Sequence, residues 1–111
     1  MKIEVLKELG FEMIVEGKGE VFHGYACDLL SEVMGRAKPD TVWFTVQSHI
    51  NIIAVAVITG IRAIVLCNGH DYDEGTIERS KKEGISLFKT ELNTFEAIKK
   101  LCNVMQDEIQ G

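Results

Sequence analysis

The residues best suited to chemistry follow an apolar run at positions 42–46. They place amide, hydroxyl and imidazole groups close together in the chain: Gln47, Ser48, His49 and Asn51. The run itself is typical of a buried parallel strand, and ligands in open α/β sheets bind at the carboxyl ends of such strands. If a helix follows, Ser48 caps it while its first free N–H groups favour an anion or a carbonyl-rich ligand. The alternative is that Ser48 only caps, Gln47 only satisfies loop backbone and His49 is only solvated.

A second polar segment follows the apolar run at positions 63–66. It brings a thiol, an imidazole and a carboxylate into one loop, Cys67-Asn68-Gly69-His70-Asp71. Metal binding with the help of His49 and catalysis by a Cys67–His49 pair are two alternatives for this loop. Spacing, however, fixes neither a fourth metal ligand nor a third catalytic group. We predict instead that Asn68 and Gly69 contact a ligand, the latter because glycine lets a ligand or the next segment come close. Neither a catalytic residue nor a metal site is predicted.

Apolar periodicity predicts the elements that position these groups. We predict helices over residues 2–9, 26–37, 50–59, 73–83 and from Asn93 onward, and strands over 12–15, 42–46, 63–66 and 85–89. Residues 50–59 are rich in β-branched side chains, but two successive parallel strands need a crossover, and a helix is the usual one. Asp73 is the predicted cap of its helix, and Trp43 is predicted to lie in the core. Strands that alternate with helices predict an α/β fold, a three-layer sandwich with a mostly parallel sheet.

Side-chain spacing also predicts which helix faces are buried. The helix over residues 26–37 is predicted to bury Ala26, Leu29, Leu30, Val33, Met34 and Ala37, and the last helix to bury Phe95, Ile98, Leu101, Cys102 and Met105. Asn93 and Glu96 have the spacing of a capping box, so capping competes with ligand contact as the role of Thr94. The helix over 50–59 is apolar on nearly every side. It therefore needs a second cover besides the sheet, such as another subunit.

Composition bounds the class of protein. The chain has 111 residues, which fit a single domain spanning 1–111, and a net charge of −5 with scattered lysines, so nucleic acid is not an expected partner. The apolar run at 52–58 is far shorter than the roughly 20 residues of a membrane span. The first residues do not open a signal peptide, so we expect a cytoplasmic protein without membrane contact. Three cysteines without a Cys-x-x-Cys pair predict reduced thiols, and no cofactor is implied.

Three segments match the motifs of one domain family: Gly24-Tyr25-Ala26-Cys27-Asp28-Leu29-Leu30-Ser31, the hydrophobic run at 61–66, and Asn93-Thr94-Phe95-Glu96. On these segments, residues 21–101 resemble the DRTGG domain. This regulatory module is found beside phosphotransacetylase and CBS domains and is related to the N-terminal domain of HPr kinase. The residues that give the family its name differ here. The position of the family's Asp-Arg-Thr motif corresponds to about Gln47-Ser48-His49 here, and that of its Thr-Gly-Gly motif to about Cys67-Asn68-Gly69.

The resemblance implies a fold like that of the HPr kinase N-terminal domain. It also implies a regulatory domain that binds a nucleotide or a small anionic metabolite and acts as a homodimer. A ligand contact by Asp28 follows from the same resemblance. A cap or helix-dipole role in the first turn of the 26–37 helix is the alternative for that residue.

The short, stand-alone form is similar to small proteins associated with iron hydrogenase systems, which are often labelled serine kinases. Because the chain lacks the phosphate-binding motif Gly-x-x-x-x-Gly-Lys-Ser/Thr, we predict no phosphoryl transfer and no enzyme activity. The alternative function is an accessory interaction protein for a redox enzyme, with the helix over 50–59 serving assembly and the polar loops serving only as caps.

Overall fold

A five-stranded sheet between two helical layers forms the fold. The computed structural model describes the backbone of residues 1–110 and the side chains of residues 1–104. In chain order the elements are α1 (Glu4–Glu8), β1 (Glu12–Val15), β2 (His23–Ala26), α2 (Leu30–Arg36), β3 (Thr41–Thr45), α3 (Asn51–Thr59), β4 (Ala63–Leu66), α4 (Glu74–Glu83), β5 (Ser86–Lys89) and α5 (Thr94–Gln110). The predicted α/β sandwich with a mostly parallel sheet is confirmed.

The strand order is β1-β5-β4-β3-β2. Strands β2 to β5 are mutually parallel, and β1 pairs antiparallel with β5. The helices α2, α3 and α4 each connect two neighbouring parallel strands, so the chain winds across the sheet in one direction and these helices share one face. The loops that follow β2, β3, β4 and β5 all lie at one end of the sheet, which we call the carboxyl edge.

Each face of the sheet has its own core, because strand side chains alternate between the two faces. Val42 and Phe44 of β3 pack with Leu6 of α1 and Leu101 of α5. On the other face, Trp43 packs with residues of α2 and α3, among them Val33, Ile52 and Ile53. Trp43 is fully buried, as predicted.

The predicted helix over residues 26–37 is wrong at its start, because the chain there forms the edge strand β2. Ala26 pairs with Phe44 of β3, and α2 begins only at Leu30. Of the six residues predicted to share its buried face, Val33 alone is fully buried in α2, while Leu29 and Met34 are 60% and 48% exposed. Residues 23–28 alternate between half-buried and exposed positions, which is the signal of a strand with one face toward the core.

The buried face of α5 also differs from the prediction. Ala97 and Leu101 are buried and Ile98 is half-buried, whereas Cys102 is exposed and Phe95 is 73% exposed. The predicted contact of Met105 lies outside the residues whose side chains are described. The capping box is confirmed: the Glu96 N–H donates to Asn93 Oδ1 (2.9 Å), and the Asn93 N–H donates to Glu96 Oε1 (3.1 Å).

The predicted helix over residues 50–59 is confirmed as α3. Its sequence also fits a strand, because apolar side chains occupy its exposed side as well as its buried side. Ile52 and Ile53 are buried against the sheet and its neighbours, while Val57 and Ile58 are exposed. The helix ends at Gly60, whose φ of 82° is left-handed. Among the described residues, no helix is long and apolar enough to cross a membrane.

Candidate functional site

Asp28 joins the ends of β2 and β3 at the carboxyl edge. Its carboxylate oxygen Oδ1 accepts hydrogen bonds from the Thr45 hydroxyl (2.8 Å) and from the Val46 N–H (2.8 Å). The residue lies in the loop between β2 and α2, so the prediction that it occupies the first turn of a helix is wrong. Leu29 is the residue that precedes α2. Asp28 therefore acts as a cross-strand acceptor rather than as a cap.

Gln47 completes a small network with Asp28. Its side-chain Nε2 donates to the Asp28 carbonyl oxygen (3.0 Å), and its backbone N–H donates to the Thr45 hydroxyl (3.1 Å). Gln47 therefore satisfies loop backbone, which was one of the two roles predicted for it. They also fix an exposed amide beside a carboxylate, where it can contact a bound molecule. Thr45, which supports both residues, was missed because it reads as part of an apolar strand.

The prediction that Ser48 caps α3 is wrong. The residue at the cap position is Ile50, and among the described residues no side chain caps α3 from that position. The Ser48 carbonyl oxygen instead accepts from the Thr76 hydroxyl of α4 (2.8 Å) and from the Asp73 N–H (3.4 Å). Ser48 therefore fastens the β3–α3 loop to the start of α4.

His49, instead of Ser48, accepts a hydrogen bond from a backbone N–H group in the first turn of α3. Its ring atom Nδ1 accepts from the Asn51 N–H (3.3 Å), so the ring proton of the neutral imidazole lies on Nε2. Both side chains are exposed. This arrangement leaves the Asn51 amide and the His49 Nε2–H available at the surface, where they suit an acceptor oxygen of a ligand.

Asp73 occupies the N-cap position of α4, as predicted, but within the part of the chain that the structure describes its side chain makes no capping hydrogen bond. Its carbonyl oxygen accepts from the Thr76 and Ile77 N–H groups, at 3.0 and 3.2 Å. The first turn of α4 is thus closed by backbone contacts.

Cys67 is buried below the edge and linked to two predicted site residues. Burial raises the pKa of its thiol, a side-chain hydrogen bond with Thr94 lowers it, and the nearby charge of Asp28 raises it; the net shift is upward. The thiol therefore stays protonated at neutral pH, which disfavours it as a nucleophile or a metal ligand. Within the described residues, no three His, Cys, Asp or Glu side chains gather as a metal site.

Asn68 and Gly69 form a left-handed turn that joins the β4 and β5 ends of the edge. Their φ angles are 65° and 70°. The Asn68 N–H donates to the Leu92 carbonyl oxygen (2.8 Å), and the Gly69 N–H donates to that of Thr90 (2.9 Å). The left-handed φ of Gly69 favours glycine at this position, and its N–H bond to Thr90 brings the next segment close.

Tyr72 fills the space beneath this turn. Its buried hydroxyl lies 2.6 Å from the Phe88 carbonyl oxygen and 3.2 Å from that of Ile64. Nearby, Asp71 pairs with Lys89; this hydrogen bond lowers the pKa of Asp71 and raises the pKa of Lys89. Tyr72 was not predicted as a functional residue, because the sequence of a loop does not indicate which backbone groups a tyrosine hydroxyl will contact.

Two large apolar side chains border the polar edge. Leu29, directly after Asp28, is 60% exposed, and Phe95, directly after Thr94, is 73% exposed. Both side chains were predicted to lie on buried helix faces. Their exposure beside predicted ligand contacts gives this edge both a polar and an apolar character, which ligand sites require.

All eight predicted site residues follow carboxyl ends of strands, in the order Asp28 after β2; Gln47, Ser48, His49 and Asn51 after β3; Asn68 and Gly69 after β4; and Thr94 after β5. Direct side-chain contacts join Asp28 to the Thr45–Val46 strand end and Gln47 to Asp28. His49 contacts Asn51 separately, at the start of α3.

Fold and site together define a three-layer α/β domain whose polar groups hold loops in place and face outward at one sheet edge. No protein-family model matches the chain, and a search of curated proteins finds no match. A solved structure is similar: the CBS and DRTGG domains of the regulatory region of Clostridium perfringens pyrophosphatase, complexed with the activator diadenosine tetraphosphate. The TM-score is 0.69 at 14% identity, over 90% of this chain and 45% of the other. The likeness establishes a shared fold.

Proposed function

We propose that this protein is a non-catalytic regulatory domain of the cytoplasm that binds a nucleotide or a small anionic metabolite at the carboxyl edge and acts as a homodimer. The observation that carries the proposal is the Asp28–Thr45–Gln47 network, which holds an exposed carboxylate and an exposed amide next to the exposed Leu29, at the edge that also carries the exposed Phe95. A nucleotide combines a flat apolar base with hydroxyl and phosphate groups, so it matches such a mixed surface.

The charges of the edge suggest how a nucleotide would lie. The Asp28 carboxylate repels phosphate and accepts from hydroxyl or amino groups, which favours the nucleoside part at that end. Phe95 offers a ring face on which a base stacks. The phosphate then lies nearer His49 and Asn51, whose exposed ring N–H and amide donate to oxygen. The regulatory region of the clostridial pyrophosphatase binds a dinucleotide activator, which supports the same ligand class for this chain.

The homodimer rests on an apolar surface that we call the α2–α3 face, formed by Met34, Val57 and Ile58. These side chains are between 48% and 70% exposed, and α2 packs beside α3. Large exposed apolar surfaces of this kind mark interaction sites. A second copy of the chain would bury the same residues on both sides of a twofold axis.

The same face supports a second candidate function. An accessory interaction protein would use the α2–α3 face to bind a redox enzyme of the hydrogenase type, and the polar edge would then hold loops without binding a ligand. Nearly every hydrogen bond at the edge is compatible with this alternative, so a ligand experiment has to decide between the two functions.

A thermal-shift titration with ATP, GTP, acetyl phosphate and diadenosine tetraphosphate tests the proposal. We expect a saturable rise in melting temperature with a nucleotide, and its loss in Gln47→Ala and Asn51→Ala. The control is Asn103→Ala, which removes an exposed amide from α5, away from the edge. Both edge variants should sediment as the wild type does.

Two outcomes contradict the edge site. Absence of any saturable shift favours the interaction protein, and partner capture with hydrogenase-type enzymes becomes the decisive measurement. If Gln47→Ala loses ligand response and self-association together, the residue supports the whole fold rather than a site.

A further inference from the structure

A separate cavity lies at the opposite end of the sheet, where β2 and β3 begin. Its volume is about 200 Å³, and its walls are formed by His23, Gly24, Tyr25, Arg36, Lys38 and Thr41. We call it the amino-edge cavity. None of these lining residues belongs to the carboxyl-edge network, so whatever this cavity binds is independent of the function proposed above.

The strand register places the polar walls together. His23 and Thr41 are paired residues at the first positions of β2 and β3. Thr41 shares a sheet face with Trp43, two positions further on, and Trp43 packs against α2 and α3. The floor of the cavity is thus the start of two parallel strands, and its rim is the end of α2 with Arg36 and Lys38.

Thr41 carries an unexplained polar group. The residue is 1% exposed, and within the described part of the chain its hydroxyl oxygen is a buried side-chain atom with no hydrogen-bond partner. Buried hydroxyls nearly always have a partner, since an unsatisfied one destabilises the fold. Thr45 on the same face of the same strand is satisfied by Asp28. The contrast leaves the Thr41 hydroxyl without the internal acceptor that Thr45 has.

The positive charges around the cavity favour the binding of an anion. Arg36 and Lys38 bring two cations to one rim of a protein whose net charge is −5. Two carboxylates lie on neighbouring segments. Asp40 pairs with Arg62 at 3.0 Å, and Glu32 pairs with Arg36 at 3.3 Å, so a bound oxyanion competes with Glu32 for the Arg36 guanidinium. Guanidinium and ammonium groups only donate, and a hydroxyl donates readily, so these groups together match an oxyanion.

We propose that the amino-edge cavity binds a phosphate group, either as inorganic phosphate or as the phosphoryl group of a small metabolite. The Thr41 hydroxyl donates to one phosphate oxygen, and Arg36 and Lys38 neutralise the charge. The volume is below the roughly 300–1,000 Å³ of pockets that hold drug-sized ligands. A single phosphoryl group with a short substituent fits a space of this size.

The test is a titration with inorganic phosphate and, in a second arm, with glycerol 3-phosphate, at constant ionic strength against chloride. Binding is followed by the ¹H–¹⁵N NMR shifts of Gly24, Lys38 and Thr41. We expect saturable shifts, and the arm with the higher affinity identifies the source of the phosphate group. Arg36→Gln should weaken binding at least tenfold. The matched control is Arg79→Gln, because Arg79 is also exposed and also pairs with a glutamate four residues away, at 3.1 Å.

Thr41→Val provides a second, opposed readout. Without ligand it should melt at a higher temperature than the wild type, because it removes an unsatisfied hydroxyl, yet it should lose at least tenfold in phosphate affinity. Equal weakening by Arg36→Gln and Arg79→Gln would show diffuse surface charge and overturn the proposal. A Thr41→Val variant that melts lower and binds phosphate unchanged would also overturn it. Gln47→Ala must leave phosphate binding intact, so failure at one edge is distinguishable from failure at the other.

Discussion

The Tyr72 hydroxyl joins α4's leading loop to the sheet through the carbonyl oxygens of Phe88 and Ile64. Tyr72→Phe removes this donor, so the carbonyl groups of β4 and β5 lose its hydrogen bond. We expect the free energy of unfolding to fall by about 0.5–1.5 kcal/mol. Urea denaturation monitored by Trp43 fluorescence measures the change, and Tyr25→Phe at a half-buried position serves as the control.

The same residue predicts a pH dependence of stability. Burial raises the pKa of Tyr72 well above its ordinary value of 10.0, and the nearby charge of Cys67 raises it further. As pH rises past 10, the unfolded chain therefore loses this proton while the folded chain keeps it, and stability falls. Denaturation at pH about 9 and about 11 should show this fall in the wild type and in Tyr25→Phe. An equally steep fall in Tyr72→Phe would contradict the assignment to this group.

Among the elements, α5 has the most clearly defined start. Asn93→Ala breaks one of the two reciprocal bonds of the capping box and should lower the free energy of unfolding by about 1 kcal/mol. Asn103→Ala, at an exposed position in the same helix, changes the same residue type without touching a cap. Chemical denaturation of both variants tests the prediction. A loss of equal size in Asn103→Ala would point to the helix as a whole rather than to its cap.

Elements that bury a continuous apolar run were predictable from the sequence. The strand Ala63–Leu66 was predicted with its exact bounds, and α3 followed from the need for a crossover between two parallel strands. The edge strand β2 was missed because only one of its faces meets the core and because Ala26, Leu29 and Leu30 also fit a helical period. Pairing with β3 outweighed that helical pattern.

The place of the candidate site was more predictable than the roles of its residues. Parallel topology brings the loops after β2 to β5 to one edge, whatever their conformation. Whether Ser48 or His49 satisfies α3 depends on loop dihedral angles, which periodicity does not encode. The amino-edge cavity was missed for a related reason. Thr41 can be assigned to the cavity only once His23 is known to begin the neighbouring strand.

At the scale of the whole molecule, the proposed homodimer predicts that changes on the α2–α3 face alter the oligomeric state. Ile58→Lys places a charge at the most exposed residue of that face, where a dimer would have to bury it. We expect sedimentation to change from dimer to monomer, with the folded spectrum retained. Phe22→Lys, at an exposed apolar position outside the face, is the control. A wild-type chain that sediments as a monomer would contradict the homodimer.

Helix α3 carries Asn51 at one end and Ile58 near the other, so one rigid rod of about 13 Å joins the polar edge to the apolar face. If the proposed ligand and the proposed homodimer are both correct, a ligand that moves the first end would also move the second. Linkage would then work in both directions: a ligand that binds the edge more tightly in paired chains would also promote pairing. Such a protein would report the joint abundance of its ligand and of itself, and the amount of protein that the cell makes would set its threshold.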